Sequence, residues 1–574
     1  MSHADPILAV GRGDGSGSSG AESRRLDRTV AERSLADALR HAGWPLNTRC
    51  GQRGLCQGCS IELLAGRVDC DGREVTAIGN DQPPTLRGCR CRALPGVAAT
   101  VGVPPRSLLQ HTPQVVSSFR LAVPTTSDPL WRRDRSGRGW QFAGDHWTAD
   151  GADVARPLGA AVDVGTTTVV IVLVDLATGE VVGQASALNA QTALGDNVLT
   201  RINLCLQDAT EVGPLQRALV EHTLGPLLQA AAKAAGQSLD QLVALTIAGN
   251  ATMLHLLAGI DPAPLGTVPF TPVFTTYRRL RAGDIGLAEA AGVRPDLALH
   301  LLPSASAYVG ADVVAGALAT GLAYRADPCL LLDLGTNGEI VLAHGDQLWG
   351  CATAAGPAFE GAGLVCGMRA ADGAVTHLWW DVAAEPARWE ALGAGRPLGL
   401  CGTAYLDFVA RARRAGLLSP TGRILAAADR PDLLHDPYHG RALQIAEGPG
   451  RRPLFVSEAD VATLLQAKAA IAAGIRCLLR RAGLRSTDLG AVFVAGGFGF
   501  HMQLDSLCDS GLLPDCPRSR IELVGNSSLA GAYAALIDSS FLDELCQLAP
   551  RIQLVELNLE PDFETTYIDE LYLP

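Results

Sequence analysis

Hydrophobic and polar positions follow two different patterns along the chain. Near the N-terminus, SIELLAGRV and GVAATVGVP read as strands, and SLADALRHAG reads as a short helix. After about residue 158, two longer apolar strands, AAVDV and CLLLDL, are each followed by a Gly/Thr turn and a second apolar strand. The pattern predicts a multidomain protein with a small α+β domain followed by a duplicated α/β domain.

Composition and charge exclude several classes of protein. The 574 residues are 48% hydrophobic and 18% charged, and no run reaches the roughly 18 apolar residues that a membrane helix needs. A net charge of -12 argues against nucleic-acid binding, which depends on clustered Lys and Arg. The start, MSHADPILAV, lacks the features of a signal peptide. We therefore expect a cytoplasmic protein with reduced thiols.

Four cysteines are spaced as ligands of a [2Fe-2S] cluster. Cys50, Cys56 and Cys59 lie in one glycine-rich loop, and Cys89 follows in RGCRCRA. Three thiolates on one loop and a fourth on a distant segment hold such a cluster, although the first gap here is one residue longer than in the plant-type pattern. Neighbouring glycines allow the backbone to approach the inorganic sulfides. The pattern predicts a metal centre made of these four thiolates.

More than one cysteine could be the fourth ligand. Cys70 and Cys91 are the rivals of Cys89, which we favour because RGCRCRALPG resembles the ferredoxin segment that precedes the terminal strand. A structural zinc site made by Cys56, Cys59, Cys89 and Cys91 is an alternative. A C-x-C half is atypical of zinc, so the cluster is favoured.

The cysteine segment and its flanks predict a β-grasp ferredoxin-like domain over 30–106. The preceding segment, 1–29, is poorly defined and would supply the first hairpin. Residues 107–157 read as a linker, because Pro, Gly and charge are scattered without a period. Three tryptophans in it would dock it to a domain surface or cover local apolar surface: Trp131, Trp140 and Trp147.

Two Asp-x-Gly-Thr turns, 170 residues apart, predict a nucleotide site. Glycine lets N–H groups approach phosphate, threonine hydroxyls add donors, and aspartate can hold Mg²⁺ through water. Two copies indicate two halves, over 158–325 and 326–574, with a cleft between them. The candidate residues are Asp163, Gly165, Thr166 and Thr167 in the first turn and Asp333, Gly335, Thr336, Asn337, Gly338 and Glu339 in the second.

The order of these elements resembles the acetate and sugar kinase, Hsc70 and actin superfamily, whose domains are ribonuclease H-like. A later strand and loop, AVFVAGGFG, is similar to its adenosine segment through Gly496, Gly497 and Gly499. In that superfamily the helix before the second phosphate loop often carries the residue that orients or deprotonates the attacking water. Asp312 occupies that place and is our candidate general base. Stabilisation of a helix N-terminus by its carboxylate explains Asp312 equally well.

Longer segments resemble the reductive activators of corrinoid proteins, over about 30–105 and 158–574. They include ALNAQTALGDNVLTRI, AGNATMLHLLAGIDPAPLGTVPFTPVF, AAGPAFEGAGLVCGMRAADGAV, LQAKAAIAAGI and PDFETTYIDELYLP. The resemblance implies a [2Fe-2S] cluster, ATP and Mg²⁺ as cofactors, an upstream electron donor and a corrinoid methyl-transfer protein as partner. It implies no membrane and no nucleic acid as partners, and it is compatible with a homodimer. The implied function is ATP-dependent transfer of one electron from the cluster to the cob(II)alamin of that partner.

The chain departs from the family pattern in two ways. The family places a folded middle domain between cluster and ATPase, where about fifty linker residues stand here. NATM replaces Asn-Thr-Thr-Met, and Cys-Gly-Thr-Ala at 401–404 replaces Cys-Gly-Ser-Gly. These changes leave two other functions open. One is a nucleotide-binding redox sensor or scaffold without ATP turnover, and the other is a small-molecule kinase, which leaves the cysteine domain unexplained.

Overall fold

The structure, a computed structural model, describes most of the chain. The described residues are 7–12, 23–25, 33–42, 44, 46, 52, 54, 59–77, 83–103, 119–133, 140–142, 156–195, 197–335, 337–361, 364–368, 373–380, 385–393, 396–427, 430–436, 440–448, 453–496 and 502–574. Contacts divide the chain into two compact units. Unit 1 comprises Met1–Ser304, Leu318–Arg325 and Ser528–Ala549, and unit 2 comprises Ala305–Ala317, Ala326–Ser527 and Pro550–Pro574.

The first sheet of unit 1 has the topology expected of a β-grasp domain. Its elements are β1 (Ile7–Arg12), β2 (Ser23–Arg25), α1 (Leu35–His41), β3 (Ser60–Cys70), β4 (Arg73–Thr76), β5 (Thr85–Arg87), β6 (Cys91–Ala93) and β7 (Ala99–Val103). The order is β2-β1-β7-β3-β4, and β5 and β6 also pair with β3. The first strand runs antiparallel to β2 and parallel to β7.

A bend in β3 lets one strand serve two sets of partners. Its first half pairs with β5 and β7, and its second half pairs with β4 and β6. The register shifts between Leu63 and Ala65, and Gly66 has a φ of +84°. A Cβ at Gly66 would lie 2.1 Å from the carbonyl oxygen of Ala98, so only glycine fits at this bend.

A six-stranded sheet follows in unit 1. A small hairpin of β8 (Trp131–Arg133) and β9 (Trp140–Phe142) comes before it in the chain. The strands of the sheet are β10 (Leu158–Val164), β11 (Thr168–Asp175), β12 (Val181–Leu188), β13 (Leu242–Gly249), β14 (Arg278–Arg281) and β15 (Ala298–Leu301). Its helices are α2 (Val198–Gln207), α3 (Val212–Leu219), α4 (Gly225–Ala235), α5 (Ala251–Leu257) and α6 (Leu287–Ala291). The order is β12-β11-β10-β13-β15-β14, antiparallel through the first three and parallel from β10 to β15. Every residue of β13 is buried, as expected of a central strand.

Unit 2 contains a second sheet of the same design. The strands after α7 (Ala311–Ala319) are β16 (Cys329–Leu334), β17 (Gly338–His344), β18 (Gln347–Thr353), β19 (Ala374–Trp379), β20 (Arg388–Ala391), β21 (Gly399–Leu400), β22 (Leu433–Asp436), β23 (Gly440–Glu447), β24 (Pro453–Ser457), β25 (Ala491–Ala495), β26 (Ile521–Gly525) and β27 (Ile552–Leu554). The main sheet has the order β26-β25-β16-β17-β18-β27. Strands β18-β17-β16-β25-β26 therefore repeat β12-β11-β10-β13-β15, and the predicted duplication is confirmed.

The remaining helices are α8 (Gly402–Arg414), α9 (Glu458–Arg481), α10 (Leu504–Asp509), α11 (Ser527–Ile537), α12 (Ser539–Leu548) and α13 (Phe563–Asp569). Helix α9 is long and apolar enough to cross a membrane by length and composition, yet 78% of its apolar window is buried inside the structure. Its Lys468 is buried and donates from Nζ to the carbonyl oxygens of Glu570, at 2.6 Å, and Tyr572, at 2.8 Å. Lys468 thus fixes the C-terminal segment, as a packing residue.

Part of the segment predicted as a linker packs firmly against unit 1. We call residues 119–133 the strap. Its Phe119 and Trp131 are buried, and the Asp128 N–H donates to the carbonyl oxygen of Ile537 at 3.0 Å. The Ser539 hydroxyl donates to Asp128 Oδ2 at 2.7 Å. The strap is therefore not a free tether, because backbone and buried side-chain hydrogen bonds hold it to the junction of α11 and α12.

Candidate functional site

The structure brings Cys59 and Cys89 to one place. Cys59 immediately precedes β3, and its carbonyl oxygen accepts a hydrogen bond from the Gly88 N–H at 2.9 Å. A Cβ at Gly88 would lie 3.1 Å from that oxygen, so the glycine permits the close approach of the two segments. Cys59 is buried and Cys89 half-buried. Two of the four predicted cluster ligands therefore lie on adjacent segments.

Cys91 lies next to Cys70, and these two cysteines form a pair separate from Cys59 and Cys89. The two residues are register partners of β6 and β3, and their sulfur atoms are joined in a disulfide with the Cα atoms 4.1 Å apart. Cys91 is buried in the core of the β-grasp domain. The two rivals of Cys89 are thus bonded to each other, which the expectation of reduced thiols did not foresee.

In the described part of the cysteine loop, two residues have a left-handed backbone conformation, and side-chain hydrogen bonds hold the loop in place. Gln52 and Gly54 have φ values of 65° and 72°. The Gln52 amide donates to Asp37 Oδ1 at 2.6 Å, which ties the loop to α1. A Cβ at Gly54 would lie 2.7 Å from Cδ of Arg90, and Arg87 donates to the Gly54 carbonyl oxygen. These contacts hold the loop against the segment that carries Cys89.

These residues fit a cluster bound through thiolates. Cys50 and Cys56 lie outside the described residues, and among those that are described no group of three His, Cys, Asp or Glu side chains is placed to hold a metal ion. Cys59 and Cys89 lie together, and the glycine at 88 admits close backbone packing. Two thiols on adjacent segments are donors of the kind that a cluster bound through thiolates requires.

The first phosphate turn lies between β10 and β11 of unit 1. Gly165 donates its N–H to the carbonyl oxygen of Thr168 at 3.1 Å, and a Cβ at Gly165 would lie 2.4 Å from that oxygen. The turn therefore requires glycine there. At its start, Asp163 accepts a hydrogen bond from the Ser528 hydroxyl at 2.8 Å.

Helix α5 contributes to the same turn. Asn250 caps this helix, because its Oδ1 accepts from the Met253 N–H at 3.0 Å. Its Nδ2 donates to the Thr166 hydroxyl oxygen, also at 3.0 Å. Asn250 therefore both caps the helix and contacts the first phosphate turn.

The second phosphate turn lies between β16 and β17 of unit 2, and several carboxylates lie near it. Gly335 donates its N–H to the Asn337 carbonyl oxygen at 3.0 Å. Burial, and then the negative charges of Asp312 and Asp333, raise the pKa of Glu339 well above its ordinary value, although a hydrogen bond from Asn337 opposes the shift. The three predicted carboxylates therefore lie close enough to interact, with Asp312 in the first turn of α7.

Gly496, which follows β25, allows a close backbone approach to the start of this turn. Gly496 has a φ of +105°, and a Cβ there would lie 2.1 Å from the Leu334 carbonyl oxygen and 3.2 Å from Asp333 Oδ1. Its N–H donates to the Gly525 carbonyl oxygen at 3.0 Å. Gly496 and Asp333 are thus neighbours, and no side chain fits between them. Three other predicted site residues lie outside the described part of the chain: Thr336, Gly497 and Gly499.

The duplicated sheets and their two Asp-x-Gly turns define an actin-like ATPase domain. A family model described as the C-terminal domain of RACo, the ASKHA domain, matches residues 327–574, and a second, described as the RACo middle region, matches 158–325. The chain is also 31% identical over 422 residues to the corrinoid activation enzyme RamQ of Eubacterium limosum, covering 71% of this chain and 69% of that one. The protein therefore belongs to the RACo family of reductive activators of corrinoid proteins.

Two further relatives agree with this assignment. The structure matches a solved reductive activator for corrinoid, iron-sulfur protein with a TM-score of 0.71 and 26% identity, over 99% of this chain and 98% of that one. The chain is 26% identical over 300 residues to the [Co(II) methylated amine-specific corrinoid protein] reductase of Methanosarcina barkeri, covering 47% of this chain and 50% of that protein.

One expectation from the sequence is wrong. The middle region of the family is present, because its model matches 158–325, the segment that the repeated turn had identified as the first half of the ATPase domain. The other departures fall at packed positions. Ala251, in NATM, and Ala404, at the end of Cys-Gly-Thr-Ala, are both buried.

Proposed function

We propose that this protein uses ATP to drive the transfer of one electron to the Co(II) centre of a corrinoid protein. The observation that carries the proposal is the presence of the Cys59–Cys89 site and of both phosphate turns in one chain of the RACo family. The relatives named as a corrinoid activation enzyme and a Co(II) corrinoid protein reductase support it.

The cysteine domain serves as the electron donor. A [2Fe-2S] cluster held by Cys50, Cys56, Cys59 and Cys89 would supply one electron at a potential of about −400 mV if it behaves as plant-type clusters do. Gly88 keeps the two described ligand segments in contact, and Gln52 fixes the loop to α1. We infer that this rigidity keeps the ligand thiolates in one geometry in both oxidation states.

The phosphate turns serve as the ATP site. In this proposal the N–H groups of Gly165, Gly335 and their neighbours would bind phosphate oxygens, and the aspartate of each turn, Asp163 or Asp333, is the residue that would hold Mg²⁺ there. Asp312 accepts a proton from the attacking water.

The test is an anaerobic assay with the Co(II) form of a corrinoid methyl-transfer protein as substrate. The protein is reduced chemically, and formation of Co(I) is followed by absorbance with and without Mg-ATP. We expect Co(I) only with Mg-ATP, and none with Cys89→Ser. Equal Co(I) formation without ATP would contradict the proposal. ATP binding without ADP release would instead favour a sensor without turnover. Asp312→Asn tests the proposed general base, and this variant should release ADP at least a hundredfold more slowly than the wild type.

A further inference from the structure

Three consecutive carbonyl groups of the first phosphate turn are held by one segment of unit 1. Asn189 donates from Nδ2 to the Gly165 oxygen at 3.0 Å, and its own N–H donates to the Thr167 oxygen at 2.8 Å. Arg201 donates from Nη2 to the Thr166 oxygen at 2.6 Å. Each of the three carbonyl oxygens therefore accepts a hydrogen bond from the same segment, 189–201.

The guanidinium of Arg201 is completely buried and held in place. It has no exposed surface, and it also donates from Nη1 to Gln191 Oε1 at 2.9 Å and from Nε to the Gly195 oxygen at 2.8 Å. Asn189 and Gln191 are equally buried. Burying a cation costs several kcal/mol unless hydrogen bonds compensate it. Filling space alone does not account for arginine here, because an apolar side chain would do so without that cost.

The geometry of the peptide bond links this arrangement to anion binding. The bond is planar and trans, so the C=O of one residue and the N–H of the next point in opposite directions. The N–H groups of Thr166 and Thr167 therefore point away from Asn189 and Arg201. Neither N–H donates to any group in the described part of the chain. Two adjacent free N–H groups on one side of a turn form an anion-binding nest.

We propose that Arg201 is a positioning residue for nucleotide binding. Together with Asn189 it turns the carbonyl side of the turn toward the protein, so that the N–H side faces the nucleotide phosphates. The inference rests on the proposed function of this turn as a phosphate site, and it adds a residue that does not touch the ligand.

Binding of two ligands separates this role from a general structural one. Dissociation constants for Mg-ATP and for adenosine are measured by equilibrium dialysis on the full-length protein and on Arg201→Met. Because adenosine lacks phosphates, we expect Arg201→Met to weaken Mg-ATP binding tenfold or more and to change adenosine binding less than twofold. Arg201→Lys, which retains the charge but not the planar set of donors, should fall between wild type and Arg201→Met.

The control removes a buried donor to a different turn of unit 1. Tyr533 donates its hydroxyl to the Gly179 carbonyl oxygen at 2.6 Å, and Tyr533→Phe should leave both dissociation constants unchanged. If Arg201→Met does not fold, as judged by its thermal transition, Arg201→Lys decides the question. Unchanged Mg-ATP binding, or an equal loss for both ligands, would overturn the role of Arg201. Absence of Mg-ATP binding in the wild type would instead overturn the proposed function, and the positioning role with it.

Discussion

The indole N–H of Trp131 donates to Nε2 of His300, with 3.3 Å between the nitrogen atoms. On the other side of the imidazole, Nδ1 lies 2.7 Å from the hydroxyl of Tyr277. His300 is completely buried, and burial lowers its pKa to about 3. The ring is therefore neutral at physiological pH, with its proton on Nδ1. A tryptophan of the strap is thus joined to the sheet of unit 1 through a histidine that must stay uncharged.

This relationship predicts a pH-dependent stability. Between the ordinary pKa of 6.5 and the folded value of about 3, the unfolded chain binds one more proton at His300 than the folded protein does. Stability should therefore fall as the pH drops through that range, by up to about 1.4 kcal/mol per pH unit from this residue. His300→Gln removes that contribution. In urea unfolding at pH 7, 6 and 5, the amount by which the variant is less stable than the wild type should therefore become smaller as the pH falls. The exposed His344→Gln is the control, and a constant difference for His300→Gln would contradict the prediction.

The strap predicts a local loss of stability when Asp128 is removed. Asp128→Ala leaves the buried hydroxyl of Ser539 without its acceptor, which costs about 1–3 kcal/mol. We expect a lower thermal transition and faster tryptic cleavage within 119–133. An exposed pair of the same chemistry, Ser238 and Asp240, provides the control Asp240→Ala. Equal cleavage rates in the wild type and Asp128→Ala would show that these contacts do not hold the strap.

The pairing of cysteines predicts which substitution would remove the proposed cluster. Cys89→Ser should abolish the visible spectrum of a [2Fe-2S] cluster, because Cys89 adjoins the Cys59 segment. Cys91→Ser and Cys70→Ser should retain it, because these residues bond to each other. Absorbance and iron content of anaerobically purified variants measure the difference. Loss of the spectrum in Cys91→Ser with retention in Cys89→Ser would reverse the assignment.

Repulsion at the second phosphate turn predicts a second pH effect, of opposite sign. Because the pKa of Glu339 is raised by burial and by Asp312 and Asp333, the folded protein binds a proton there that the unfolded chain loses above its ordinary pKa. This stabilising contribution is lost as the pH rises toward the raised pKa. Glu339→Gln should therefore gain thermal stability relative to wild type between pH 5 and pH 8 without Mg²⁺. The exposed Glu289→Gln serves as the control, and a pH-independent difference for Glu339→Gln would contradict the prediction.

Local patterns were sufficient to predict the duplicated sheets. Each Asp-x-Gly-Thr turn joins two apolar strands that are neighbours in the chain, so the pairing of β10 with β11 and of β16 with β17 follows from short-range sequence. The superfamily resemblance led from these turns to the ATPase fold. The preference for Cys89 over Cys91 as the fourth ligand stays a prediction, and the bond between Cys91 and Cys70 gives it a physical reason.

Contacts between distant segments could not be predicted in this way. The strap is held by hydrogen bonds such as that from the Thr126 N–H to Asp538 Oδ2, which spans 412 residues. Arg201 lies in an amphipathic helical pattern where an arginine is usually exposed. Its burial depends on acceptors from Thr166, Gln191 and Gly195, which the fold brings together around it.

The strap also limits how far the β-grasp domain, the proposed electron donor, can lie from it. Val103 ends the last strand of that domain and Phe119 is the first residue of the strap, so fifteen residues, 104–118, join the two. Even fully extended, they span no more than about 55 Å. A corrinoid bound within this radius would meet the donor at an effective concentration in the millimolar range. Electron delivery would then be first order in the complex, and once the partner is saturated it would not speed up when more activator is added.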